Sequence, residues 1–351
     1  MLTLLMWSLW AKALQVTPGP VSEWEQYKAR FIAPEGRSID ALHGGRTTSE
    51  GQGYAMLLAE AYNDRIVFER LWSWTQANLT QDGEAMLRWR WIPNAPVQER
   101  MHATDGDILI GWALLRGAKR WSNQDYLAAA KARMVAIQHP DLFRQADGIT
   151  YWLPAKYAFE RDDGSIIVNP SYFVFPAFLA FRDVELHGAW GLQIDTGLRL
   201  LERARFGAYQ LPPDWVHIRA NGSMTAVRDN GQPDGARHGY DAVRVPLHLL
   251  WANFGDPKLL KPFRLMWAAE RTDPKVPVEV SLTDDRVLTK SLGTGFRAIE
   301  RAVDCAVTGA ALPSTLKLEP WDDYYSASLY MLTKLALSER FPHCLPSGQG
   351  R

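Results

Sequence analysis

Ile108-Leu109-Ile110-Gly111-Trp112-Ala113-Leu114-Leu115 offers no polar side chain on any face. A surface helix keeps one side for water, so a run like this belongs to a helix covered on all sides. Tyr172 to Phe181 (YFVFPAFLAF) has the same character, and its Pro176 either kinks the helix or sits in the first turn, where a missing N–H costs little. Phe68 to Leu79 (FERLWSWTQANL) reads differently. Phe68, Leu71, Trp72 and Thr75 fall on one face at helical spacing, leaving Glu69, Arg70 and Gln76 for solvent. Helices buried all round need a shell of amphipathic ones, so the spacing predicts an all-α fold with inner and outer layers.

The remaining helical candidates are Gln124 to Gln138, Trp190 to Phe206, Tyr240 to Phe254, Leu259 to Glu270, Gly295 to Ala310 and Tyr324 to Arg340. No alternating run of strand length matches them in strength. Loops rich in Gly, Asp, Asn and Pro fall at Gly36 to Gly45, Thr80 to Glu84, Arg161 to Pro170, Ala220 to Gly239 and Asp273 to Pro277. The Ala220 to Gly239 loop is long enough to be functional or to hold a short hairpin. None of the loops resembles a domain linker, and 351 residues fit one large domain.

Composition narrows the function. Hydrophobic residues make up 47% of the chain and charged residues 22%, which excludes disorder as the dominant state. The 39 Lys and Arg cancel the 39 Asp and Glu, so no global field draws nucleic acid or an anionic membrane, and a neutral polar ligand fits better. Fifteen Trp and 12 Tyr give many flat faces with a polar tip, surfaces that suit the apolar C–H faces and hydroxyl edges of sugar rings.

Met1 to Trp10 is almost entirely apolar and precedes Ala11-Lys12-Ala13, which reads as a secretory signal ending near residue 13. The apolar run is too short to span a bilayer, which takes roughly 20 residues. Export to the periplasm or medium is the expectation, with residues 14–351 as the working domain and no stable membrane insertion. Cys305 and Cys344 either pair in such a compartment or stand as two thiols. No CxxC, HExxH or His cluster supports a metal, and no cofactor is expected.

Three stretches combine carboxylates with helix starts. In Ser49-Glu50-Gly51-Gln52-Gly53-Tyr54 two glycines follow Glu50 and allow a ligand close to the backbone, although, judged locally, capping by Thr48 or Ser49 with Glu50 complementing the helix dipole is the better account of the pattern. A helix N-terminus lowers a carboxyl pKa, so a general acid here needs an opposing influence such as a second carboxylate or an apolar wall. Thr104-Asp105-Gly106-Asp107 opens the apolar inner helix; it matches a capping box, yet carries one carboxylate more than a cap requires. In Gly239-Tyr240-Asp241-Ala242-Val243-Arg244, Asp241 and Arg244 stand three apart, as in a plain helix ion pair or as in a base held ionised by its neighbour.

SEGQGYAMLLA, ATDGDILIGWALL and GYDAVRVPL, in this order and spacing, resemble glycoside hydrolase family 8, and in particular the cellulases encoded beside bacterial cellulose synthases. The resemblance covers essentially the whole chain after the signal. It implies an (α/α)6 barrel with a substrate cleft across one end, inverting hydrolysis of β-1,4 linkages, a β-1,4-glucan substrate and action as a monomer, with the cellulose synthase complex as a candidate partner. Glu50 then resembles the general acid, Asp241 the general base, Asp105 the carboxylate that contacts the sugar at the cleavage site, and Arg244 the residue beside the base. Asn169-Pro170-Ser171-Tyr172 resembles a segment lining the cleft, with Tyr172 near the sugar. Trp89 and Trp91 in LRWRWIP, Trp152, Trp215 and Tyr240 are candidates for stacking on glucose rings, against the alternative that each belongs to the core. Arg100-Met101-His102 departs from the smaller polar residues that relatives often carry there.

Other readings keep part of this pattern. A glucan-binding scaffold would keep the fold without needing Glu50 and Asp241. Xylan, chitosan or mixed-linkage glucan would use the same two carboxyls. A polysaccharide lyase would need a base but no paired acid.

Overall fold

In the computed structural model, which describes residues 22–186, 188–229, 231–269 and 273–346, eleven α-helices form the frame. They are α1 (Glu23–Phe31), α2 (Ser49–Ala61), α3 (Arg65–Leu79), α4 (Thr104–Trp121), α5 (Gln124–Ile137), α6 (Phe175–Val184), α7 (Trp190–Arg203), α8 (Arg244–Trp251), α9 (Pro257–Ala268), α10 (Thr294–Thr308) and α11 (Tyr324–Arg340). The expected signal at residues 1–13 lies outside the described residues. Among the described residues no helix is long and apolar enough to cross a membrane.

The layering follows the sequence pattern. On α4 every residue from Thr104 to Leu114 is buried, as the all-round apolar run predicts. On α3 one stripe is buried (Val67, Phe68, Leu71, Trp74, Thr75, Leu79), with Trp74 taking the core position expected of Trp72. Helix α2 packs on α3 and α4, α4 on α5 and α6, and α6 on α7 and α8. From α8 the contacts run to α10 and α11, and α11 returns to α2, closing a circuit.

Four helices of this circuit, α2, α4, α8 and α11, run in the same direction. Their C-terminal ends share a buried ionic cluster: Glu60 of α2 accepts from Arg116 and Arg120 of α4, Arg116 donates to Glu339 of α11 at 2.7 Å, and the indole N–H of Trp251 of α8 reaches the same Glu339 at 2.7 Å. The opposite, N-terminal ends carry Glu50, Asp105 and Arg244.

Glycine brings α2 and α4 together at that end. A Cβ on Gly53 would stand 2.5 Å from Cβ of Leu109, and one on Gly106 would run into the Ser49 side chain. These glycines therefore serve helix–helix approach, which replaces the expectation that those after Glu50 make room for a ligand. The start of α2 is capped as read, with Thr48 Oγ1 accepting from Gly51 N at 3.0 Å. The capping box at Thr104 does not form. Ala103 holds the cap position, and Asp107 instead accepts from Arg133 (2.9 Å) and from the Leu87 amide (3.2 Å).

Alongside the helices lie ten short strands in four antiparallel sheets, which periodicity alone did not show. Strand β1 (Thr47–Thr48) pairs with β2 (Arg90–Trp91), and β3 (Phe143–Ala146) with β4 (Ile149–Trp152). The third sheet joins β5 (Ile166–Val168), β6 (Trp215–Ile218) and β7 (Met224–Val227). The fourth joins β8 (Arg237–His238), β9 (Val276–Ser281) and β10 (Val287–Ser291). With two to six residues each, most strands are too short for alternation to register. The long loop from Ala220 to Gly239 holds β7 and β8. Cys305 and Cys344 are bonded to each other, tying α10 to the short 3-10 turn after α11.

Candidate active site

Arg244 is the hub. It opens α8, its side chain is 5% exposed, and its guanidinium faces carboxylates from three separate parts of the chain. Nη1 contacts Oε1 of Glu50 and lies 3.8 Å from Oδ2 of Asp105, while Nη2 donates to Oδ1 of Asp241 at 2.8 Å. Nη2 also donates to the Ser171 hydroxyl at 2.7 Å, and Nε to the Asp241 carbonyl at 3.3 Å. The planar fork of an arginine suits this task, since several donors leave one rigid group in fixed directions. Asp241 sits in the turn before α8, so its pairing with Arg244 spans the helix start.

Each carboxyl has its own surroundings. Glu50 Oε1 also accepts from the Tyr54 hydroxyl at 2.8 Å. Burial, and after it the charge of Asp241, pushes the Asp105 carboxyl up to about 8. Burial pushes Asp241 up to about 6, against the opposing effect of the Asn169 amide and the Trp215 indole, which face its carboxylate. At neutral pH these values leave Asp105 largely protonated and Asp241 largely ionised. A proton donor and a proton acceptor thus coexist in one buried cluster, the arrangement acid–base hydrolysis needs.

Tyr172 joins this cluster. Its ring centroid is 6.0 Å from the Arg244 guanidinium carbon, and burial, with the charges of Asp105 and Asp241, holds its hydroxyl pKa well above the ordinary value. Tyr240 is 44% exposed, and its carbonyl accepts from the Tyr325 hydroxyl at 2.5 Å. Trp89 and Trp91 are half-buried beside the start of α2: β2 pairs with β1, and the Trp89 carbonyl accepts from Ser49 N at 2.9 Å. The Arg90 guanidinium lies 4.4 Å from the Trp89 ring centroid, and that of Arg37 5.3 Å from the Trp91 centroid. The backbone of the unusual Arg100–His102 segment holds this rim, with Met101 O accepting from Trp89 N at 2.9 Å.

One of the expected stacking residues lies in the core, and another has one of its faces covered. Trp152 is buried between Phe143 and Phe178 and belongs to the core. Trp215 has one face covered by Phe159, at 5.4 Å between centroids and 4° between planes, and Tyr172 meets it edge-on. The residues closest to a metal-ligand set among those described are Cys305, His343 and Cys344, and the disulfide uses both sulfurs.

The model of glycosyl hydrolases family 8 matches residues 1–339. The chain belongs to glycosyl hydrolases family 8. It is therefore a glycoside hydrolase. It is similar to an endoglucanase of Cellulomonas uda, 37% identical over 79% of this chain and 75% of the relative. A probable endoglucanase of Novacetimonas hansenii is 33% identical over 90% of both chains. Among solved structures, an endo-beta-1,4-glucanase from an Achatina fulica gut metagenomic library superposes with a TM-score of 0.82 at 36% identity, covering 92% of this chain and 100% of that one.

Within this family 8 site, sequence reading missed Tyr54, Tyr325 and Asp214. Tyr54 lies inside the quoted SEGQGY motif, one turn after Glu50, and that spacing was a usable signal. Tyr325 and Asp214 meet the site only across 85 and 25 residues of chain, through Tyr240 and Gly239, and no local pattern marks them.

Proposed function

We propose that this family 8 hydrolase is an inverting endo-β-1,4-glucanase with Glu50 as general acid and Asp241 as general base. The observation that carries the reading is the gathering of Glu50, Asp105 and Asp241 around the single guanidinium of Arg244, whose cation favours the ionised form of its partners, so that protonation of Glu50 depends on the opposing charge of the Asp241 carboxylate. Asp241 takes a proton from a water as the water oxygen attacks the anomeric carbon. Glu50 delivers its proton to the departing glycosidic oxygen on the other side. Asp105 contacts the sugar at the cleavage point, with Tyr172 beside it, and Trp89, Trp91 and Tyr240 offer ring faces along the cleft.

The closed circuit of helices, with amphipathic helices packed outside it, supports an (α/α)6 barrel as the full architecture. Export to the periplasm or medium is supported by the Met1 to Ala13 pattern and by the disulfide, a bond that persists in oxidising compartments. A monomer acting beside a cellulose synthase complex is the setting we propose. The deciding experiment is product analysis on carboxymethylcellulose, xylan, chitosan and mixed-linkage glucan, with Glu50→Gln as the blank. Cutting of carboxymethylcellulose to short oligomers is expected; preference for xylan or chitosan would overturn the substrate.

A further inference from the structure

We infer that Asp214 is a positioning residue for the base: its buried carboxyl clasps the turn on both sides of Asp241, while its chain neighbour Trp215 presents its indole to the Asp241 carboxylate. This rests on the reading of Asp241 as base. One oxygen, Oδ1 of Asp214, accepts from Gly239 N and from Ala242 N, both at 2.8 Å. Those two amides bracket Asp241, so the backbone that carries the base is pinned from outside α8.

The clasp is itself anchored. Asp214 N donates to the Arg237 carbonyl at 2.9 Å, fixing Asp214 to the first residue of β8. Trp215 opens β6, pairs with Val227, and has one ring face stacked on Phe159, which holds its indole beside Asp241. Gly239 completes the fit: a Cβ there would stand 2.6 Å from Oδ2 of Asp214, closer than real Cβ contacts come. Arg237 Nε lies 3.8 Å from that oxygen. Burial and the charge of Asp241 push the Asp214 carboxyl pKa up. With its carboxyl raised, Asp214 offers the two amides a neutral carbonyl oxygen, which an amide side chain reproduces, so the clasp needs an acceptor of the right shape and not a charge.

The consequence is a division between shape and charge that mutation reads directly. Asp214→Asn keeps an acceptor and should retain turnover within a few-fold of the parent. Asp214→Ala removes it and lets the base drift, and a misplacement of about 1 Å is enough for roughly a hundredfold loss of kcat. KM should change less than kcat, and only through Tyr240, which rides on the same turn. The loss should be equally deep on a β-glucosyl fluoride, whose leaving group needs no acid, since the base is required for either substrate. Gly239→Ala, which displaces the clasp from the other side, should give the same pattern and serves if Asp214→Ala fails to fold. Parent-like kcat in folded Asp214→Ala and Gly239→Ala, or an Asn variant as damaged as the Ala variant, overturns the inference. Asp241→Asn separates the two levels. If it keeps parental turnover, the assignment of the base fails; if it is inactive while Asp214→Ala is unaffected, only the clasp fails.

Discussion

The Tyr54 hydroxyl donates to Oε1 of Glu50 across 2.8 Å, from one turn further along the same helix. Tyr54 is buried among α2, α4 and α11 neighbours, so its hydroxyl aims one oxygen of the proposed acid and leaves the other to face the substrate. A hydrogen bond to a carboxylate contributes about 1.5–3 kcal/mol, and Glu50 becomes a carboxylate only as it gives up its proton in the reaction. Tyr54→Phe should therefore lower kcat on glucan by about ten- to a hundredfold with little change in KM, as initial rates across substrate concentration will show.

Arg244 donates to Asp241 at 2.8 Å, and its cation favours the ionised base. As the proposed base, with its carboxyl raised to about 6, Asp241 should set the acid limb of kcat/KM, because activity would be lost as it takes a proton. Arg244→Met removes the cation, the carboxylate becomes less stable relative to the acid, and its pKa rises. The acid limb should move to higher pH. Arg237, the other cation acting on Asp241, remains in place, as do the anions Asp105, Asp229 and Asp214, and these favour the same direction. A limb that stayed put or moved lower would show that Arg244 does not act on the base.

Asp105 lies where function costs stability. Its carboxyl rises from 3.8 to about 8 in the fold. Below pH 3.8 both folded and unfolded chains hold the proton and no penalty exists. Between 3.8 and 8 only the unfolded chain readily releases it, so stability falls as pH rises through that window. Asp105→Asn cannot ionise. It should leave Tm nearly unchanged at pH 3.5 and raise it progressively to pH 8, while kcat falls by orders of magnitude and KM changes less. Thermal melts at the two pH values, run beside steady-state kinetics, check both halves.

The Cys305–Cys344 bond closes a sequence separation of 39 residues, linking α10 to the turn that follows α11. For a loop of that length the chain-entropy contribution is about 4 kcal/mol. The Cys305→Ala, Cys344→Ala double variant should unfold at lower urea with turnover per folded molecule retained, since neither sulfur faces the carboxylates. Loss of kcat without loss of stability would contradict this.

Legibility in the sequence tracked how local the determining physics is. Helices α4 and α11 were readable because their burial is written in consecutive residues, and Tyr324 to Arg340 matches its boundaries to the residue. Helix α8 was read from Tyr240 but begins at Arg244, because the Asp214 clasp holds Gly239 to Ala242 in a turn. Pro176 resolved in favour of the first turn, where α6 begins at Phe175 and Tyr172 falls in a preceding 3-10 turn. Glu50, Asp105, Asp241 and Arg244 were found through their motifs, yet their meeting on one guanidinium depends on the helix circuit, which no window of sequence contains. The same holds for Trp152 and Trp215. Residue type made them candidate sugar platforms, and neighbours distant in sequence put Trp152 in the core between Phe143 and Phe178 and covered one face of Trp215 with Phe159.

The stereochemistry of the reaction tests the pair of roles together. If Glu50 gives its proton to the leaving oxygen while Asp241 activates a water on the opposite ring face, the anomeric centre inverts, and a β-linked glucan first releases the α-anomer. Glu50→Gln should abolish cutting of unactivated glucan but retain more activity on substrates with good leaving groups, which need little protonation. Asp241→Asn should abolish both, because no water is activated. The raised carboxyl at Asp105 provides a rival for the acid: buried and largely protonated at neutral pH, it holds a proton in the same cluster. The rival makes a distinct forecast, since Asp105→Asn would then spare good leaving groups and Glu50→Gln would not. Proton NMR of the first-formed sugars, recorded before mutarotation, reads the anomer directly. Initial accumulation of the β-anomer would mean a covalent intermediate, with one of these carboxylates as nucleophile, and would overturn the assignment of Asp241 as a base.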